Sequence, residues 1–123
     1  MQLQTDRTQV ELGGQGEAIN ITDRVASSVA RNFIRNGVAF VFVVGSTAAI
    51  TTTEFELGLA HHDLQAAFER LAPEDGVYAH EKLWGDDNAH ARVRTSLVGP
   101  GLSPDRGGHT FARDLATDRL VRL

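Results

Sequence analysis

Residues 38–54 read Val38-Ala39-Phe40-Val41-Phe42-Val43-Val44-Gly45-Ser46-Thr47-Ala48-Ala49-Ile50-Thr51-Thr52-Thr53-Glu54. The run over 38–44 is unbroken, apolar and β-rich, which predicts a central strand buried on both faces. Gly45-Ser46-Thr47 breaks it. An extended reading resumes over 48–54, where Thr51-Thr52-Thr53 favours a strand. Helical periodicity on both sides of this stretch makes the fold class α+β.

Upstream, Thr and Val among polar residues predict a modest strand over 3–12. Gly13-Gly14-Gln15-Gly16 then makes a turn. A glycine-rich turn cradles phosphate when it leads from a buried strand straight into a helix. A short strand over 17–21, with Ile19 and Ile21 on one face, intervenes here, so the segment is read as a plain turn. Thr22 or Asp23 caps a helix running to about residue 35, with Val25, Val29 and Phe33 as its stripe. Gly37 is placed to close it as a left-handed cap.

Downstream, Leu64, Ala67, Phe68 and Leu71 give a helix over 57–71 that Pro73 ends. His61 and His62 are neighbours on it and point about 100° apart, so they read as surface residues rather than a chelating pair. A third helix fits residues 88–99, with Asn88 as cap, Ala89, Val93 and Leu97 as stripe, and Gly99-Pro100 as its end. His90 and Arg94 share a face of this helix, and Arg92 lies on another. After Pro100 the chain becomes loop-like, and 111–123 alternates charges in a way that fits a weak strand or a short amphipathic helix.

The 123 residues suit one domain, 1–123, with 101–123 as its distinct C-terminal segment. The absence of Cys excludes thiolate metal sites and thiol redox chemistry. A net charge of −4 argues against a nucleic-acid partner. The polar N-terminus shows no signal peptide, and the longest apolar run falls far short of the roughly 20 residues a bilayer span needs. No membrane partner and a cytoplasmic location are therefore expected.

The densest chemistry lies in Tyr78-Ala79-His80-Glu81-Lys82-Leu83-Trp84-Gly85-Asp86-Asp87-Asn88-Ala89-His90-Ala91-Arg92-Val93-Arg94. His80, Asp86, Asp87, Asn88 and His90, with Glu54, are the polar groups expected to converge. Two imidazoles with carboxylates suit a divalent metal. The same groups with Arg92 and Arg94 suit a phosphate, because guanidinium forks match phosphate oxygens. A histidine there also suits proton transfer near neutral pH. Local hydrogen bonding and turn formation would account for the same residues without any ligand.

Several motifs in order resemble the YjbQ-like family, some of whose members are described as secondary thiamine-phosphate synthases and others as uncharacterised. Val44-Gly45-Ser46-Thr47-Ala48-Ala49-Ile50-Thr51-Thr52 with Glu54 resembles its "HTTA…E" signature. Asp63-Leu64, Leu71-Ala72-Pro73, Tyr78-Ala79-His80, Trp84-Gly85-Asp86-Asp87-Asn88-Ala89-His90 and Ser96-Leu97-Val98-Gly99-Pro100 follow in the family's order. The resemblance implies an α+β fold, a mixed or antiparallel β-sandwich with two to three helices, assembled as a homotrimer. It implies a transferase of thiamine-phosphate synthase type, joining a pyrimidine pyrophosphate to a thiazole phosphate and releasing pyrophosphate. The alternative is a non-catalytic module binding a small phosphorylated metabolite or anion.

On this resemblance Glu54, His80, Asp86 and His90 are the catalytic candidates. Ser46, Thr47, Trp84, Asn88, Arg92 and Arg94 are the ligand-binding candidates. His80, His90 and Glu54 would hold magnesium or another divalent metal. The chain departs from the family pattern at Gly45 and Arg92, where histidines are usual. Arg stays protonated and cannot ligate a metal as imidazole does, which shifts the expectation towards an anion. The family's closing "GTWQ" strand motif has no counterpart in 107–123, so the C-terminus reads as truncated or diverged, with an incomplete sheet expected.

Overall fold

In the computed structural model the described residues are 1–14, 16–34, 36–103 and, for backbone alone, 119–122. In chain order the elements are β1 (Ile19–Asn20), α1 (Thr22–Ala30), β2 (Val41–Phe42), β3 (Ile50–Thr53), a π-helical turn (Leu59–Asp63), α2 (Leu64–Leu71), α3 (Ala79–Trp84), α4 (Ala89–Val98), β4 (Gly101–Leu102) and β5 (Arg119–Arg122). The architecture is α+β with antiparallel pairing throughout. One sheet has the order β1-β5-β3 and the other pairs β2 with β4. The C-terminal segment therefore supplies a middle strand: Leu120 and Val121 lie opposite Thr52 and Thr51, and Val121 also lies opposite Asn20. The remainder of the C-terminal reading, 104–118, lies outside the described residues.

The core sits between α1 and the strands. Ile21, Val25, Val43, Ala48 and Ile50 are buried together, with Val10, Ile19, Ala26, Val29, Val41 and Leu102 packed against them. Residues 38–44 do not form the strand buried on both faces that their composition predicts. Only Val41 and Phe42 join a ladder, with Leu102 and Gly101 opposite. Val43 is buried and Val41 half-buried, whereas Phe40, Phe42 and Val44 on the alternate face are exposed. The period of two along a strand makes this a one-sided element, and nothing among the described residues covers its other face.

Three further expectations change. Residues 3–12 enter no ladder. They run beside α1, held by Asp6, which accepts from Ser28 Oγ and from Arg31 Nη2 (2.9 Å), and by Arg24 Nη1 donating to Gln9 O at 2.6 Å. Helix α1 stops at Ala30, so Phe33 leaves the stripe and is exposed, and Gly37 does not take a left-handed conformation. The cap also moves, from the expected Thr22 or Asp23 to Ile21, and Asn20 Oδ1 accepts from the Thr22 backbone N–H at 2.9 Å, satisfying one first-turn donor.

The helices after β3 follow the sequence more closely. α2 ends at Leu71, two residues before Pro73, and α4 fills Ala89–Val98. α3 is an element the sequence reading did not separate from the preceding turn. Gly85 ends it in a left-handed conformation at φ 71° and sends its N–H to Glu81 O at 2.8 Å. That is a glycine role, because a side chain there would crowd the backbone.

Candidate functional site

Gly85 is what brings the site together. It reverses the chain after α3, and Asp86 comes back beside His80 on the first turn of that helix. His80 Nε2 lies 3.2 Å from both carboxylate oxygens of Asp86. Asp86 Oδ2 is in turn 3.8 Å from Arg92 Nη2, and Arg92 Nε donates to Asn88 Oδ1 at 2.6 Å. Asn88 stands at the N-cap of α4, yet its side chain makes no capping bond to the helix backbone. It holds the guanidinium instead. The four side chains form one chain of contacts: imidazole, carboxylate, guanidinium, amide.

Its setting is half-open. The side chains of His80, Asp86 and Arg92 are 32%, 31% and 39% exposed. Asp86 Oδ1 is itself buried and makes no hydrogen bond of good geometry among the described residues. A carboxylate held against one ring nitrogen fixes how an imidazole is oriented and which nitrogen carries its proton. His80 is thus arranged to keep Nδ1 for exchange with something outside the cluster, and Arg92 stands beside it with donors to spare. The arrangement can bind an anionic oxygen and pass it a proton.

The other sequence candidates fall elsewhere. His90 is fully buried at the start of α4, 1% exposed. Glu54 is exposed just past the end of β3 and makes no hydrogen bond or ion pair with the cluster. Among the described residues no group of three or more His, Asp or Glu could hold a metal ion, so Glu54, His80 and His90 are not gathered as a ligand set. Trp84 ends α3 and is 75% exposed. Ser46 lies exposed in the turn that follows Val44. Of the residues paired with the guanidiniums in the sequence reading, Thr47 keeps company with Arg94 rather than with Arg92, as wall residues of a separate cavity.

Arg92 and Arg94 cannot serve one phosphate. Residues two apart on a helix project about 200° apart. Arg94 turns to the opposite flank, where Nε donates to Ala72 O at 2.9 Å and Nη2 pairs with Glu69. The Glu74 backbone N–H, with that guanidinium as a smaller cause and burial opposing, holds the Glu69 carboxyl below its usual value of 4.5. Sequence reasoning found every member of the cluster but not its pairing. His80 and Asp86 are six residues apart, a spacing that matches no helical face and is closed only by the left-handed turn at Gly85.

Comparison with known proteins agrees with this fold. The family model described as UPF0047 protein YjbQ-like matches residues 6–103. A UPF0047 protein of Methanothermobacter thermautotrophicus is 32% identical over 99 residues, covering 80% of this chain and 67% of that protein. A UPF0047 protein of Methanocaldococcus jannaschii is 29% identical over 91 residues, covering 74% and 63%. The chain therefore spans about two thirds of the length of these relatives. Among solved structures, a YbjQ-like protein of unknown function from Sulfolobus solfataricus matches with a TM-score of 0.69 at 27% identity, covering 86% of this chain and 74% of that one. A hypothetical protein from Aeropyrum pernix matches with a TM-score of 0.72 at 24% identity, covering 85% and 75%, a likeness of fold.

Proposed function

This chain belongs to the UPF0047 YjbQ-like family, and on that premise we propose that the His80–Asp86–Arg92–Asn88 cluster binds the phosphoryl end of a small metabolite. The observation that carries this reading is the position of Arg92. It is oriented by Asn88 Oδ1 at 2.6 Å and lies 3.8 Å from the carboxylate that holds the His80 imidazole, at a half-open surface. Arg92 occupies a position where a histidine is usual in the family, and the change favours an anion over a metal ion.

The reaction we assign to the site is of thiamine-phosphate synthase type. The thiazole nitrogen attacks the methylene carbon of the pyrimidine pyrophosphate; a C–N bond forms, the C–O bond breaks, and pyrophosphate departs. Arg92 would neutralise the departing oxygens and His80 would hand one of them a proton. The scheme is written through Arg92 and His80 alone. Magnesium would arrive only as the counter-ion of the diphosphate itself. The His80–Asp86 geometry favours turnover; a binding module without catalysis needs only Arg92 and Asn88.

Self-association belongs to the same proposal. Phe40, Phe42 and Val44 on one strand face, and Val93 and Leu97 on α4, are exposed. Patches of that kind on a small chain mark contact surfaces. We read them as the contacts of a homotrimer. Among the described residues no helix is long and apolar enough to cross a membrane.

Pyrophosphate, thiazole phosphate and thiamine phosphate are each expected to raise the melting temperature of the wild-type chain, and Arg92→Gln should remove the rise. Turnover of the two substrates with magnesium, lost in His80→Gln, would establish the enzyme. Stabilisation without turnover would leave the binding module. The reading fails if no phosphorylated compound stabilises the protein. Light scattering that finds a monomer at every concentration would remove the trimer.

A further inference from the structure

On the flank of α4 away from His80 lies a second cavity, about 70 Å³ in volume. A water needs roughly 10–15 Å³ of such space, so this one takes on the order of five waters, or a ligand of about five or six heavy atoms. It opens between α2, α4 and the glycine-rich turn that the sequence reading set aside. The turn is fastened in place. Gln65 Nε2 donates to Gly16 O at 2.6 Å, and Glu17 accepts from the Gly13 backbone N–H. Gly16 adopts φ 69°, a conformation that suits glycine at this wall.

The lining has a definite chemistry. Leu12, Phe68 and Ala91 give apolar walls, and Thr47 and Thr95 bring hydroxyls. Glu17 and Arg94 bring opposite charges to the same small space. No ion pair joins those two: Arg94 pairs with Glu69, and Glu17 bonds to the turn backbone. Arg94 is only 14% exposed, and its bonds to Ala72 O and Glu69 use two of its N–H donors. A guanidinium has five, so donors remain for the cavity.

A simple anion would meet Arg94 but face Glu17, and a simple cation would do the reverse. A ligand carrying both charges close together satisfies both, and the apolar walls suit a side chain of about methyl size. We propose that this cavity binds a small zwitterion of the α-amino-acid class, its carboxylate on Arg94 and its ammonium on Glu17. The site is separate from the phosphoryl site, since Arg92 and Arg94 project from opposite flanks of one helix.

The test is an NMR titration of the ¹⁵N-labelled full chain with L-alanine, followed at the amides of Gly14, Gly16 and Thr95. Saturable shifts at these amides are expected, with an affinity about tenfold above that of acetate or of methylammonium, and no binding of L-phenylalanine. Glu17→Gln should lower the alanine affinity about tenfold while leaving acetate as good or better. Ala91→Leu should fill the space and abolish the shifts; should that variant not fold, Glu17→Gln carries the test. Acetate binding as tightly as alanine, an unaltered affinity in Glu17→Gln, or no shift at these amides with saturating alanine would each overturn the proposal. Arg92→Gln should leave alanine binding intact while removing the response to pyrophosphate, so the two sites stand or fall separately.

Discussion

Two arginines two positions apart on α4 have taken different work. Arg94 bonds the backbone carbonyl of Ala72, a residue that is 1% exposed, and so ties α4 to the end of α2. The Arg92 guanidinium, among the described residues, meets side chains instead: it donates to Asn88 Oδ1 and lies 3.8 Å from Asp86 at a half-open surface. A charge committed to a buried carbonyl is part of the fold, because removing it strands that carbonyl. A charge held by other side chains at the surface can be borrowed by a ligand at little structural cost. The two flanks of one helix thus differ in what their charges are tied to, a buried carbonyl on one and other side chains on the other.

The largest effect on the inner flank should come from His90. Among the described residues it is the largest fully buried side chain, 1% exposed, and it shares a face with Arg94. His90→Ala is expected to lower unfolding stability by about 2–4 kcal/mol in urea denaturation, as truncations of buried side chains do. A change below about 0.5 kcal/mol, the level of an ordinary surface substitution, would mean that His90 is held for a ligand rather than for packing. Next in size is the direct contrast. Arg94→Ala should cost about 1–3 kcal/mol through the exposed need of the Ala72 carbonyl for a partner. Arg92→Ala should cost less than about 1 kcal/mol, since it loses only surface pairing. Equal losses would erase the distinction between the flanks.

The two positions where the resemblance implies histidine, Gly45 and Arg92, give a third comparison. Arg92→His should be close to neutral for folding, because the flank is half-open. Gly45→His should cost about 1–3 kcal/mol, because Gly45 sits at φ 143°, where residues with a Cβ are strained. Among the described residues no atom beyond its two chain neighbours lies within 4 Å of where a Gly45 Cβ would sit, so the cost is conformational and not steric crowding. Gly45→Ala should then lose nearly as much as Gly45→His. An alanine variant as stable as wild type would show that the loop simply relaxes.

How far this division was legible in the sequence depends on the element. The bounds of α4 followed from Asn88 and Gly99-Pro100, and the split between Arg92 and Arg94 follows from helical geometry alone. The stripe of Val93 and Leu97 was legible as a stripe, but not what it faces: both are exposed here, at 39% and 62%. Apolar periodicity identifies a face to be covered and does not say whether the same chain covers it. The same ambiguity misled the reading of residues 38–44, whose continuous apolar run resembles a doubly buried strand but leaves Phe40, Phe42 and Val44 outside. α3 escaped notice because six residues make too few turns to show a period. The His80–Asp86 pair escaped because a left-handed turn, not a helix face, closes it. The cavity beside the glycine-rich turn was invisible for a different reason: its walls come from four separated segments.

The smallest effect expected is on the stitch beside Ala72. Tyr78 donates its hydroxyl to Pro73 O at 2.6 Å, one carbonyl along from the one Arg94 holds. Tyr78→Phe should cost about 1 kcal/mol at neutral pH, the usual net worth of such a bond. Burial, the first cause, and the surrounding carboxylates raise the Tyr78 pKa above its ordinary 10.0, against the opposing pull of Arg94. The unfolded chain therefore ionises first as pH rises. The contribution of the neutral phenol is complete below pH 10.0 and is lost as pH climbs from there through the folded value. Tyr78→Phe has no such titration, so its stability curve should run parallel to wild type up to about pH 10 and converge with it above. If the curves stay parallel through the alkaline range, the hydroxyl is solvated and the carbonyl of Pro73 is held by something else; the inner flank would then rest on Arg94 alone.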